Sequence, residues 1–153
     1  MRRQDKEITD REEIEEILQE SQIIHIGLCD HGIPYVVPMS FGLRSGRVYL
    51  HSACEGRKQE IIDRHNIVSF NCITGASLLP GSEDRPCSWT MGYRSVSGTG
   101  RVRTVDTLEE KREAMTSIME HYGYQGDMTF PDLSATAVLC IHIDAVSGKK
   151  SGS

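Results

Sequence analysis

The stretch His51-Ser52-Ala53-Cys54-Glu55-Gly56-Arg57-Lys58 gathers the side chains best suited to chemistry: an imidazole, a hydroxyl, a thiol and two adjacent cations. It ends a strand predicted over Arg47–Ala53 and opens a helix predicted over Glu55–Arg64, whose Ile61 and Ile62 pack inward. The first turn of a helix carries unpaired backbone N–H groups and the positive end of the dipole, where cations are disfavoured. Arg57 and Lys58 therefore either point away into solvent or share an anion with the helix start, as in phosphate sites. His51 and Cys54 have a His-x-x-Cys spacing that Cys72 or Cys87 could extend into a metal site. No second short-spaced ligand pair completes it, so no metal is expected.

The elements that must position this stretch belong to a chain of 153 residues, the size of one domain with one core. A net charge of −5, with acids and bases interspersed, argues against a general nucleic-acid or membrane-surface binder. Five cysteines with no Cys-x-x-Cys pair and no opening signal peptide are those of a cytoplasmic protein with free, mostly buried thiols. No apolar run approaches the ~18 residues of a transmembrane helix.

Thr9 with Glu12, or Asp10 with Glu13, makes a capping box for an amphipathic helix over residues 10–20, with Ile14, Ile17 and Leu18 on its apolar face. Strands are predicted at Gln22–Cys29 and Ile33–Phe41 around the turn Asp30-His31-Gly32. Pro34 and Pro38 mark the second strand either as an edge or as irregular where something approaches its backbone. A turn at Arg44-Ser45-Gly46 leads into the strand before His51, so the sheet begins as an antiparallel meander.

Beyond the Lys58 helix, Ile67–Ile73 is predicted as a strand and Thr74–Arg85 as a loop that carries function or is mobile. Tyr93–Val105 is a long strand whose Gly98 and Gly100 point to a sharp bend or to a ligand or partner chain against that face. Thr107 opens a helix bearing Leu108, Ala114, Met115, Ile118, Met119 and Tyr122 as a core stripe, and Gly123 ends it. Ala135–Asp144 is the last predicted strand, with His142 facing away from Ile141 and Ile143, and residues 1–8 and 147–153 are expected to be flexible ends of the single domain. About six locally joined strands and two or three helices predict a mainly β, antiparallel barrel with peripheral helices.

Four blocks, in order, carry a resemblance. They are Met1-Arg2-Arg3-Gln4-Asp5-Lys6-Glu7-Ile8, then Gly32-x-Pro34-Tyr35-Val36-Val37-Pro38-Met39-Ser40-Phe41-Gly42, then Tyr49-x-His51-Ser52-Ala53-x-x-Gly56-Arg57-Lys58, then Cys87-Ser88-Trp89-x-Met91-x-Tyr93-Arg94-Ser95-Val96-x-Gly98-x-Gly100. Together they resemble the nitroimidazole-resistance branch of the pyridoxamine 5'-phosphate oxidase-like flavoproteins. The resemblance implies a Greek-key split β-barrel and a homodimer with FMN held between subunits. It places Val37, Pro38, Met39 and Ser40 along the isoalloxazine and ribityl chain. Ser52, Ala53, Arg57 and Lys58 fall at the phosphate, Trp89 walls the site, and Arg94, Ser95 and Val96 approach the flavin or its phosphate at the subunit boundary. Gly98 and Gly100 would permit close packing at that boundary.

His51 lies near the flavin in this pattern, either exchanging a proton near neutral pH or making a structural hydrogen bond. The chain is short for pyridoxamine 5'-phosphate oxidase itself and has no C-terminal Arg-x-His-Asp-Arg-like block, so that substrate is not expected. The resemblance implies an FMN-dependent oxidoreductase acting on nitroaromatic acceptors, with Thr74–Arg85 as its natural lid. The alternatives are a non-enzymatic flavin- or haem-binding sensor or carrier, and a dimer with a vestigial pocket.

Overall fold

A computed structural model describes residues 4–130 and 132–152. Alternating apolar residues generate most of the strands. In β2 (Ile24–Asp30), Ile24, Ile26 and Leu28 turn inward while His25 and Cys29 stay exposed. The other strands are β1 (Glu7–Ile8), β3 (Ile33–Met39), β4 (Phe41–Arg44), β5 (Arg47–Ala53), β6 (Ile67–Leu79), β7 (Thr90–Thr104) and β8 (Thr136–Ser151). The helices are α1 (Arg11–Glu20), α2 (Arg57–Arg64) and α3 (Leu108–His121). Asp10 caps α1 by accepting from the Glu13 N–H at 3.0 Å, and Thr107 caps α3 by accepting from that of Glu110 at 3.3 Å.

All strand pairs are antiparallel, in the order β3-β2-β6-β7-β8-β5-β4, with β1 added to β8. The two edge strands of this path, β3 and β4, are consecutive in the chain and separated only by Ser40. The sheet must therefore curl until its edges meet, giving a Greek-key barrel closed by the chain but split between the ladders. Its interior holds Ile24, Ile26, Phe41, Leu50, Val68, Val96, Leu139 and Ile141. A second cluster, Tyr49, Val105, Ala114, Ile118, Val138 and Cys140, seats α3 on the outside of β5 and β8. Burying each large apolar side chain stabilises by about 1.5–3 kcal/mol, against about 0–1 kcal/mol for an exposed ion pair, so these two clusters hold the fold.

Several boundaries differ from expectation. The strand predicted over Ile33–Phe41 is two strands broken at Ser40, and the described residues form eight strands rather than about six. β6 runs past Thr74 through an irregularity, where Gly75 takes φ +63°, and pairs with β7 as far as Leu79 opposite Thr90. The loop predicted from Thr74 therefore begins only after Leu79. It is tied by Ser88, whose hydroxyl donates to the Arg85 carbonyl at 2.6 Å and accepts from the Ser82 N–H at 3.0 Å. α2 begins at Arg57, two residues later than predicted.

The flexible-end expectation is also corrected. β8 continues to Ser151 opposite Tyr93, and β1 lies against it with Ile8 buried over Gly148. The remainder of that expectation, residues 1–3 and 153, lies outside the described residues. Gly98 and Gly100 serve their own chain: a Cβ at Gly98 would strike the Phe70 ring, and one at Gly100 the His142 carbonyl where the β7–β8 register shifts. On α3, Leu108 and Tyr122 are exposed, while Ala114 and Ile118 face the barrel. The thiols are not mostly buried, because Cys29, Cys54 and Cys87 are exposed and only Cys72 and Cys140 are enclosed.

Candidate functional site

The β5–β8 ladder runs to Ala53 opposite Thr136, after which the chain turns through residues 54–56 into α2. Gly56 occupies the N-cap with φ +118°, a conformation that side chains other than glycine's rarely take. It supplies no side-chain acceptor, so the first-turn N–H groups of α2 lack a side-chain cap. Arg57 stacks over the Tyr35 ring at 4.7 Å from its centroid and places Nε 3.8 Å from Asp30. Arg64, one helix length on, reaches the same carboxylate at 2.8 Å. Asp30 thus fixes α2 against the β2–β3 hairpin.

Lys58 turns the other way. Its Nζ lies 3.5 Å from Met39 Sδ, and burial pushes its pKa down. A thioether is a weak acceptor, so among the described residues the Lys58 ammonium has no counter-charge. Three further polar atoms are buried without partners among the described residues: His51 Nδ1, on β5, Gln59 Oε1, on α2, and His121 Nδ1, at the end of α3. Gln59 donates through Nε2 to Thr104 Oγ1 at 3.3 Å and to Asp63 at 3.4 Å. Buried polar groups normally find partners, and an anion with hydrogen-bonding groups meets the need of Lys58 and of the α2 start together. Ser52 donates its hydroxyl to the Ala53 carbonyl at 3.0 Å on the exposed rim beside them. Val37, Pro38 and Met39 lie on the edge strand β3, whose outer side pairs with no strand among the described residues, and Ser40 follows at the split.

The structure therefore brings Val37–Ser40 beside His51–Lys58 through the Lys58–Met39 contact. It does not bring the later block to them within one chain. Val96 is fully buried in the barrel interior, on the row Met39–Ile24–Cys72–Val96, with two strands between it and Met39 along the curled sheet. Ser95 is also buried, and Trp89 is 45% exposed. Arg94 is engaged by α1, with Nη1 2.8 Å from Glu16 and Nη2 2.7 Å from Glu20, which hold its pKa above the usual value. Sequence reasoning missed Gln59, Asp30 and Tyr35. The one available signal was the position of Gln59 directly after the two cations.

These features define a split barrel with an uncompensated cation beside a helix start. The family model for pyridoxamine 5'-phosphate oxidase matches residues 10–150, and the chain belongs to that family. Among solved structures, a Bacteroides thetaiotaomicron protein provisionally named for 5-nitroimidazole antibiotic resistance is 34% identical. It superposes with a TM-score of 0.81 over 94% of this chain and 86% of that one. A flavocytochrome from Azotobacter vinelandii is 21% identical, with a TM-score of 0.82 over 100% of this chain and 72% of that one. An FAD and haem binding protein from Mycobacterium smegmatis is 18% identical, with a TM-score of 0.82 over 97% and 74%. These last two share the fold. No curated protein matches the chain. Among the described residues no helix is long and apolar enough to cross a membrane.

Proposed function

We propose that the chain is an FMN-dependent oxidoreductase that works as a homodimer and reduces nitroaromatic acceptors of the 5-nitroimidazole type. The observation that carries the reading is Lys58, a partly buried cation without a counter-charge beside an uncapped helix start. Lys58 and the first N–H groups of α2 hold the phosphate, Arg57 and the Ser52 hydroxyl leave Asp30 and the Ala53 carbonyl to join them, and Ala53 lines the approach. Val37, Pro38, Met39 and Ser40 present an edge-strand backbone to the isoalloxazine and ribityl chain. His51, whose Nδ1 has no partner among the described residues, hydrogen-bonds at the flavin and passes a proton to the acceptor. Trp89 and Arg94 reach the site of the other subunit, and the buried Ser95 and Val96 steady their strand from within.

The flavin, when bound, supplies the redox chemistry. The net two-electron reaction takes a nitro group with two protons to a nitroso group and water, NAD(P)H being the reductant. The visible spectrum of the purified protein, followed by anaerobic reduction with NAD(P)H and reoxidation by a 5-nitroimidazole, tests this. A protein that refuses added FMN overturns the cofactor assignment. Reduced flavin that persists with every such acceptor overturns the activity and favours the second reading, a flavin carrier. A Soret band instead of flavin bands favours a haem carrier, a reading supported by the structure of this fold named for FAD and haem binding.

A further inference from the structure

One side chain occupies the split of the barrel. The β2–β3 ladder ends with Ile24 opposite Met39. Two residues further in the same register, Gln22 stands opposite Phe41, where a continued ladder would join the Phe41 N–H to the Gln22 carbonyl. The Tyr122 hydroxyl lies there instead. It accepts from the Phe41 N–H at 3.2 Å and donates to the Gln22 carbonyl at 2.6 Å. Tyr122 caps the C-terminus of α3, and its neighbour His121 packs on the Phe41 ring with centroids 4.3 Å apart. His121 Nε2 also meets the Ser21 carbonyl at 2.8 Å.

A phenol held in this way replaces one direct rung with a longer, two-bond bridge. The chain diverges from β2 at that point, and Ser40 is left outside both strands. Met39, which touches Lys58, is the residue immediately before. We propose that Tyr122 is a positioning residue: its hydroxyl props the barrel open at Ser40 and sets the path of Val37–Ser40 past the cofactor. This rests on the flavin reading above and extends it to α3, which the resemblance does not connect with the site.

Tyr122→Phe keeps the ring and removes the hydroxyl, and at 43% exposure the residue is no part of the core. Glu110→Gln is the control, because it loosens the other end of α3, where Glu110 holds Arg103 and the Tyr49 hydroxyl. Both variants lower the melting temperature modestly. Tyr122→Phe alone raises the Kd for FMN about tenfold, shifts the absorption bands of the bound flavin, and speeds amide exchange at Phe41 in the flavin-free protein. Unchanged FMN affinity and absorption in Tyr122→Phe, with the parent protein binding normally, overturns the positioning role and leaves the flavin reading standing. An equal loss of affinity in Glu110→Gln also overturns it, by making α3 a support for the fold alone. A parent protein that takes up no FMN overturns the flavin reading, and the positioning role with it.

Discussion

Lys58→Met separates what the site costs the fold from what it does for the ligand. The substitution keeps a long unbranched side chain against Met39 and removes the charge. In the flavin-free protein the ammonium is desolvated with only a thioether at 3.5 Å, and its pKa is lowered. In the unfolded chain the same lysine titrates near about 10.4. Between the lowered folded value and that unfolded value the unfolded state binds more protons, so stability rises with pH through the window. Below the window the fold carries the full cost of the cation.

Lys58→Met therefore raises the melting temperature of the flavin-free protein at neutral pH and abolishes the rise toward alkaline pH. The same change removes a charge-assisted contact worth about 1.5–3 kcal/mol, which weakens FMN binding roughly tenfold to hundredfold. Riboflavin, which lacks the phosphate, binds parent and variant alike. Flavin fluorescence titrations and thermal melts across the pH range read both effects. A variant that is less stable without flavin, or that binds FMN as tightly as the parent, refutes the phosphate assignment. Linkage adds that the parent's FMN affinity falls as pH rises above the lowered pKa, because binding must then take up a proton.

His51→Gln retains bound flavin but slows its reoxidation by a 5-nitroimidazole about a hundredfold, the range of a lost general acid, as followed by anaerobic stopped-flow. Gly42→Ala places a Cβ 2.5 Å from the backbone of Ser117 and Ile118. Lifting α3 by that amount costs about 1–3 kcal/mol, read from urea midpoints. Arg94→Ala releases Glu16 and Glu20 and costs about 1 kcal/mol or less, since the network is solvent-accessible. Added salt narrows that difference.

The sheet was legible wherever one face is buried and the other is not, as in β2 and the Phe70 region of β6. It was illegible where polar residues line both faces. The ends of β6 and β8 mix Thr, Gly, Ser and Lys with a few Ala, Val and Leu in no regular alternation, and their ladders are imposed by β7. The division of Ile33–Phe41 was hidden for another reason: what breaks the strand is Tyr122, distant in sequence, whose apolar ring reads as part of a helix stripe. The Gly56-Arg57-Lys58 junction was visible because two cations at a helix start contradict the local dipole, and such conflicts show in a sequence. The distribution of Trp89–Val96 relative to that junction depends on barrel closure, which composition and spacing do not encode.

The path of β8 through the sheet has a consequence for how the molecule is made. Among the described residues β5, which carries His51, joins the rest of the sheet through β8 alone, and β4 through β5 alone. On the ribosome the β4–β5 hairpin emerges early and then waits, unpaired on one side, for the chain's last strand. Pairings between such distant segments close slowly and expose strand edges meanwhile. The junction that opens α2 is among the last regions to acquire its final shape. Flavin added to a refolding mixture should then be captured late, in step with the docking of β8 rather than with the first collapse.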